Sequence, residues 1–121
     1  MSYTALVLDE GSHKKLVDSL DIPENWDVVA HHMTINMGSP DKGPAAELVG
    51  QEAPLTVNTQ AQDELVMAAG VESPILSSNE IKHITVAVNR EAGGKPFFSN
   101  KLTHWKSISP ITLKGVVTHV E

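Results

Sequence analysis

Apolar and polar positions alternate along this chain with two different periods. Tyr3 to Leu8 (YTALVL) is a short, nearly unbroken apolar run that predicts a buried strand. From Asp9 to Asp21 the spacing becomes helical, with Leu16, Val17 and Leu20 on one side and Ser12 as the expected N-cap. Ile22-Pro23 marks the end of that helix. Asp27 to Met37 (DVVAHHMTINM) predicts a second strand, and residues 38–53 begin rich in Gly and Pro, as a loop with a short helical turn around Ala45 to Val49.

The second half repeats the period-two pattern. Pro54–Gln60 (PLTVNTQ) and Asp63–Ser73 (DELVMAAGVES) lean towards strand and predict a hairpin. Ile75–Asn79 reads as a turn, Ile81–Asn89 (IKHITVAVN) as a strand and Arg90–Pro96 as a connector. Phe97–Trp105 predicts a short helix with Phe97 or Phe98, Leu102 and Trp105 turned inward. Ser109–Glu121 is a last β-run, with Gly115 a candidate bulge. Mixed strands with two helices indicate an α+β sandwich, and 121 residues indicate one domain over 1–121.

Composition narrows the chemistry. With no cysteine, disulfides, thiol nucleophiles and thiolate metal sites are excluded. No apolar run approaches the roughly 18 residues that cross a bilayer, and the first residues lack a basic lead and cleavage site. A soluble, cytoplasmic protein with no membrane partner is the expectation. The net charge of −6 argues against extended nucleic-acid binding. That charge is uneven: residues 1–81 carry −10 and residues 82–121 carry +4, so a small anionic ligand would find its attraction in the second region.

Two β-runs share one motif, His32-Met33-Thr34 and His83-Ile84-Thr85. Strand alternation puts Ala30, His32, Thr34 and Asn36 on one face and Val29, His31, Met33, Ile35 and Met37 on the other. In the later run His83, Thr85 and Ala87 oppose Ile84, Val86 and Val88. A lone His-x-Thr is usually a packed or surface histidine. Two copies with the same facing pattern point instead to one shared site, with the strands near a local pseudo-symmetry axis. A neutral imidazole could then take a proton from attacking water while a protonated one gives a proton to the leaving oxygen. Hydroxyls between them could hold the non-bridging oxygens of a phosphodiester.

These motifs resemble those of the two-histidine (2H) phosphoesterase superfamily, which has one His-x-Thr/Ser per lobe. Within it the doubled "HHMTI" is similar to small phage or bacterial members, to LigT-like enzymes and to the cyclic phosphodiesterase domains of tRNA ligases. The resemblance implies a compact, pseudo-symmetric bilobal α+β fold, with two antiparallel sheets flanking a central groove and helices outside. It implies His32 and His83 as catalytic acid and base, Thr34 and Thr85 as phosphate ligands, and no cofactor or metal. The implied reaction is metal-independent hydrolysis of nucleoside 2′,3′-cyclic phosphates or related cyclic or 2′-linked nucleotides. The chain is shorter than common members, which favours a small nucleotide or an RNA end as substrate.

Other residues fill the picture. His31 reads as a packed or supporting ring on the core side, and His13, His104 and His119 as surface. Tyr3 and Trp26 are the candidates for stacking on a base. Zinc would need three or four converging ligands, and no His-x₃-His spacing provides them. Two further readings stay open: a nucleotide-binding module without turnover, and an enzyme that destroys cyclic oligonucleotide immune signals. The sequence carries no signal for an oligomeric state.

Overall fold

The computed structural model describes residues 3–37, 46–75, 77 and 81–120. Strands β1 (Tyr3–Leu8), β2 (Asp27–Val28), β3 (His32–Met37), β4 (Glu52–Gln62), β5 (Val66–Glu72), β6 (His83–Val88) and β7 (Lys106–Val120) accompany one α-helix, α1 (Glu10–Ser19). Short 3₁₀ segments cover Ala46–Leu48, Arg90–Ala92 and Pro96–Lys101. The expected helical turn near residue 47 is present in the tighter 3₁₀ form, and the helix expected over Phe97–Trp105 is a 3₁₀ segment that ends at Lys101, with Leu102 already extended. The Gly/Pro-rich loop at 38–45 and most of the turn after Ile75 lie outside the described residues.

The α+β class holds, but the sheet arrangement differs from the expected pair of sheets. The strands run in the order β6-β3-β1-β7-β4-β5, all pairs antiparallel, and β5 pairs back to β6. One sheet thus closes on itself as a six-stranded barrel, which leaves no free strand edge along the ring. β7 makes closure possible by its length. Its 15 residues pair with β4 through Lys106–Val116 and with β1 through Gly115–Val120.

The barrel interior is the main core. Leu6, Met33, Ile35, Leu55, Val57, Met67, Ile84, Val86 and Val117 are all buried within it, and Leu16 of α1 packs onto it. Each such side chain contributes about 1.5–3 kcal/mol of hydrophobic stabilisation. A smaller cluster of Ala61, Val66, Ala68, Val88 and Leu102, joined by Phe98 and Trp105, lies beneath the segment 90–105. Trp105 and Phe98 do turn inward, whereas Phe97 is 64% exposed.

Local expectations need three corrections. The N-cap of α1 is Asp9, whose Oδ1 accepts from the backbone N–H of Ser12 at 2.7 Å. That bond holds the Asp9 carboxyl below its usual range. Ser12 instead accepts from the Lys114 N–H at 2.9 Å and ties the helix to β7. Gly115 is no bulge, because β7 keeps regular register with β1 and β4 through it. It is a close approach: a Cβ there would meet the Val7 backbone. Alternation along β6 also breaks after Thr85, so that Ala87 joins the main core and Val88 the smaller cluster.

Candidate functional site

The run Asp27–Met37 lies along β6 as one interrupted strand. Val28 pairs with Ala87 and Met33 with Ile84, so five steps on one chain span three on the other. The slack is taken up at Ala30, whose φ of 43° lies in the left-handed region. Such a conformation costs a residue with a Cβ about 1–2 kcal/mol and persists only where its surroundings enforce it. Here they do: the Val29 and Ala30 N–H groups donate to Val86 O and Thr85 O, and His13 Nδ1 donates to Ala30 O at 2.8 Å. The His31 carbonyl in turn accepts from Leu8 N–H.

This bulge overturns the sequence-based placement of His31. The ring is exposed, outside any strand, and stands edge-on to His32 with centroids 5.1 Å apart. Its Nδ1 lies 2.9 Å from His32 Nδ1, so the two rings share a hydrogen bond. His13 is likewise no idle surface group, since it braces the bulge.

Beyond the bulge the two motifs meet. Antiparallel pairing of Met33 with Ile84 puts those two side chains into the core and, one place along on each side, sets His32 against Thr85 and Thr34 against His83. A local two-fold relation between the motifs follows from the strand direction. Diagonal neighbours of this kind have backbones roughly 7–8 Å apart. The His83 charge reaches His32: burial, then His31, then His83 oppose protonation of His32 and bring its pKa down to about 4. His83 is 8% exposed, and its Nδ1 donates to Ile81 O at 2.8 Å.

The threonines differ in their ties. Thr85 Oγ1 lies 2.8 Å from Ser99 Oγ, and Ser99 is 1% exposed at the heart of the Pro96–Lys101 turn. Ser99 is a site residue that sequence reading missed; "FFSNK" carries no signal beyond a small polar residue in a helical stretch. The Thr34 carbonyl accepts from Ser77 Oγ at 2.8 Å, which links β3 to the segment before β6.

Aromatic rings border the site on both sides. Tyr3 lies against His32 with centroids 5.0 Å apart, and burial pushes its phenol pKa up. Trp105 flanks His83 at 6.4 Å. Trp26, the other stacking candidate, packs partly buried against the main core. The basic second region is partly committed elsewhere, because Lys82 donates to Ser73 O, Arg90 pairs with Asp27 and Lys114 with Asp9. Lys95, Lys101 and Lys106 remain exposed around the 90–105 segment, with Lys101 over the rings of Phe97 and Phe98.

Among the described residues no group of three or more His, Asp or Glu side chains converges on a point that could hold a metal ion. Nor is any helix among them long and apolar enough to cross a membrane. A surface groove of about 570 Å³ runs between α1, β4 and β7, lined by residues such as Ser12, Lys15, Glu52 and Thr112. It contains neither histidine motif. The side chains able to move a proton lie instead on β3 and β6, where His32 and His83 are close enough to affect one another. No protein-family model matches this chain, and no curated protein is significantly similar to it.

Proposed function

We propose that the β3–β6 face is the active site of a phosphodiesterase of the two-histidine type, acting on nucleoside 2′,3′-cyclic phosphates or related cyclic or 2′-linked nucleotides. The observation that carries this reading is the reciprocal placement of His32 against Thr85 and His83 against Thr34 on neighbouring strands. Two imidazoles on one face can act on opposite sides of a phosphorus, one on the attacking water and one on the leaving oxygen. The Thr34 and Thr85 hydroxyls donate to the non-bridging oxygens as charge builds on them. Bond formation from water oxygen to phosphorus and cleavage of the ring P–O bond leave a phosphomonoester. The proton taken at one histidine is balanced by the proton given at the other. Tyr3, already against His32, is placed to stack on a base.

The test is a panel of cyclic mononucleotides, cyclic oligonucleotides and RNA ends, incubated with wild type and with His32→Ala in the presence and absence of chelator. Ring-opened product from wild type in chelator, lost in the variant, is the expected result. A ligand bound but unchanged would make the protein a binding module, and loss of activity in chelator would require a metal-dependent reaction.

A further inference from the structure

His83 and His32 are held by different kinds of partner, and the difference assigns their roles. A carbonyl only accepts, so the Ile81 contact fixes the His83 proton on Nδ1 and leaves Nε2 as the nitrogen that faces the site chemistry. The Nδ1 of His32 has no carbonyl; its partner is the Nδ1 of His31. In such a pair one nitrogen donates and the other accepts. His31 is exposed, so its Nε2–H can face water while its Nδ1 accepts. With His31 as the acceptor, His32 carries its proton on Nδ1 and keeps its lone pair on Nε2.

We propose that His31 is a positioning residue which holds His32 in the Nδ1–H tautomer, making His32 the general base and His83 the general acid. This rests on the reading of the β3–β6 face as a phosphodiesterase site. It extends it by giving each histidine one task and by giving the first histidine of the pair a use. The geometry has a second consequence. When His32 takes the water proton, its Nδ1–H···Nδ1 bond to a neutral His31 becomes charge-assisted and shorter. When His31 is itself protonated, its Nδ1 no longer accepts, and two cations would face one another. The titratable groups around His32 are His31 before β3, Tyr3 on β1 and His83 on β6.

The experiment compares wild type, His31→Ala and His31→Asn in two measurements: imidazole nitrogen NMR of the free protein, and kcat, KM and pH profile on the best cyclic nucleotide of the panel. Wild type should show Nδ1–H for both His32 and His83. His31→Ala should turn His32 to a tautomer mixture and lower kcat by about tenfold or more with KM little changed. His31→Asn keeps an acceptor that does not titrate; it should restore much of kcat and make the acid limb of the profile less steep. An unchanged His32 tautomer and kcat in His31→Ala would overturn the proposal, as would Nδ1 of His32 found without its proton in wild type. A tautomer shift in His31→Ala with no turnover by wild type on any substrate would uphold the positioning role and remove the phosphodiesterase reading instead.

Discussion

His83 stands at the start of β6 with its Nδ1–H on a backbone carbonyl, while His32 follows a bulge and leans on another imidazole. The same three-residue pattern therefore reaches the same face by two routes. β6 needs no strained residue at its motif, and Trp105 and Ser99 build its walls from a distant part of the chain. β3 depends on a left-handed Ala30, tied down by β6 and α1, and on its own neighbour in sequence. Unlike surroundings are what an acid and a base of identical chemistry require, since two imidazoles in equal environments would compete for one proton. The carbonyl fixes the His83 proton on Nδ1, whereas the buried, crowded setting favours a neutral His32.

The sharpest way to break the comparison is to remove each ring in turn. His32→Ala and His83→Ala should each lower kcat by roughly two or more orders of magnitude with the fold kept, as judged by circular dichroism. Their pH profiles should differ. His83→Ala should lose the limb that falls on the alkaline side, where the acid has given up its proton. His32→Ala should lose the limb on the acidic side. Identical residual profiles would show that the two positions are interchangeable and that the asymmetry does not govern the reaction.

Stability should follow the same asymmetry. His32 binds its proton near 4 in the folded chain against 6.5 for a free imidazole. Between those values the unfolded chain holds more protons, so this contribution is complete above 6.5 and declines as the pH falls towards 4. The loss at the low end is roughly 3 kcal/mol, and His32→Gln should remove it, flattening the urea midpoint against pH relative to wild type. An equal acid slope in both proteins would show that the ring is not held neutral.

The His83 side can be broken through its walls. Gly70 lies opposite His83 on β5, and a Cβ there would collide with the Thr59 side chain and sit 3.3 Å from Trp105. Gly70→Ala should cost about 1–3 kcal/mol by overpacking. It should also lower kcat through Trp105 and His83 while leaving the His32 tautomer as it was. A variant as stable and active as wild type would mean that Trp105 is not fixed against His83.

Much of this was legible in the sequence because alternation is local. β1, α1, the β4–β5 hairpin and both motif strands follow from runs of apolar residues, and period two alone sends His32, Thr34, His83 and Thr85 away from the core. What alternation cannot carry is an extra residue. The bulge before His32 sends His31 outward, and the break after Thr85 puts Ala87 and Val88 in cores opposite to those expected. Alanine gives no hint of a positive φ, unlike glycine or asparagine. Closure of the barrel was equally hidden, because β5–β6 and β1–β7 are pairings between separate segments with no turn chemistry to mark them. Ser99 reaches Thr85 only once the 90–105 segment is folded over β5 and β6.

The smallest expected effect is also the most direct probe of the bulge. At Ala30 a glycine would release the left-handed strain, about 1–2 kcal/mol. Against that stand a lost buried methyl, about 0.8 kcal/mol, and the greater freedom of an unfolded glycine, roughly 0.5–1 kcal/mol. These nearly cancel, so Ala30→Gly should change stability by less than about 1 kcal/mol and leave the His31–His32 bond formed. Valine at the same fully buried position keeps the strain, adds a β-branch that disfavours positive φ, and should cost about 2 kcal/mol or more. If glycine were as damaging as valine, Ala30 would be an ordinary strand residue, and His31 and His32 would return to opposite faces.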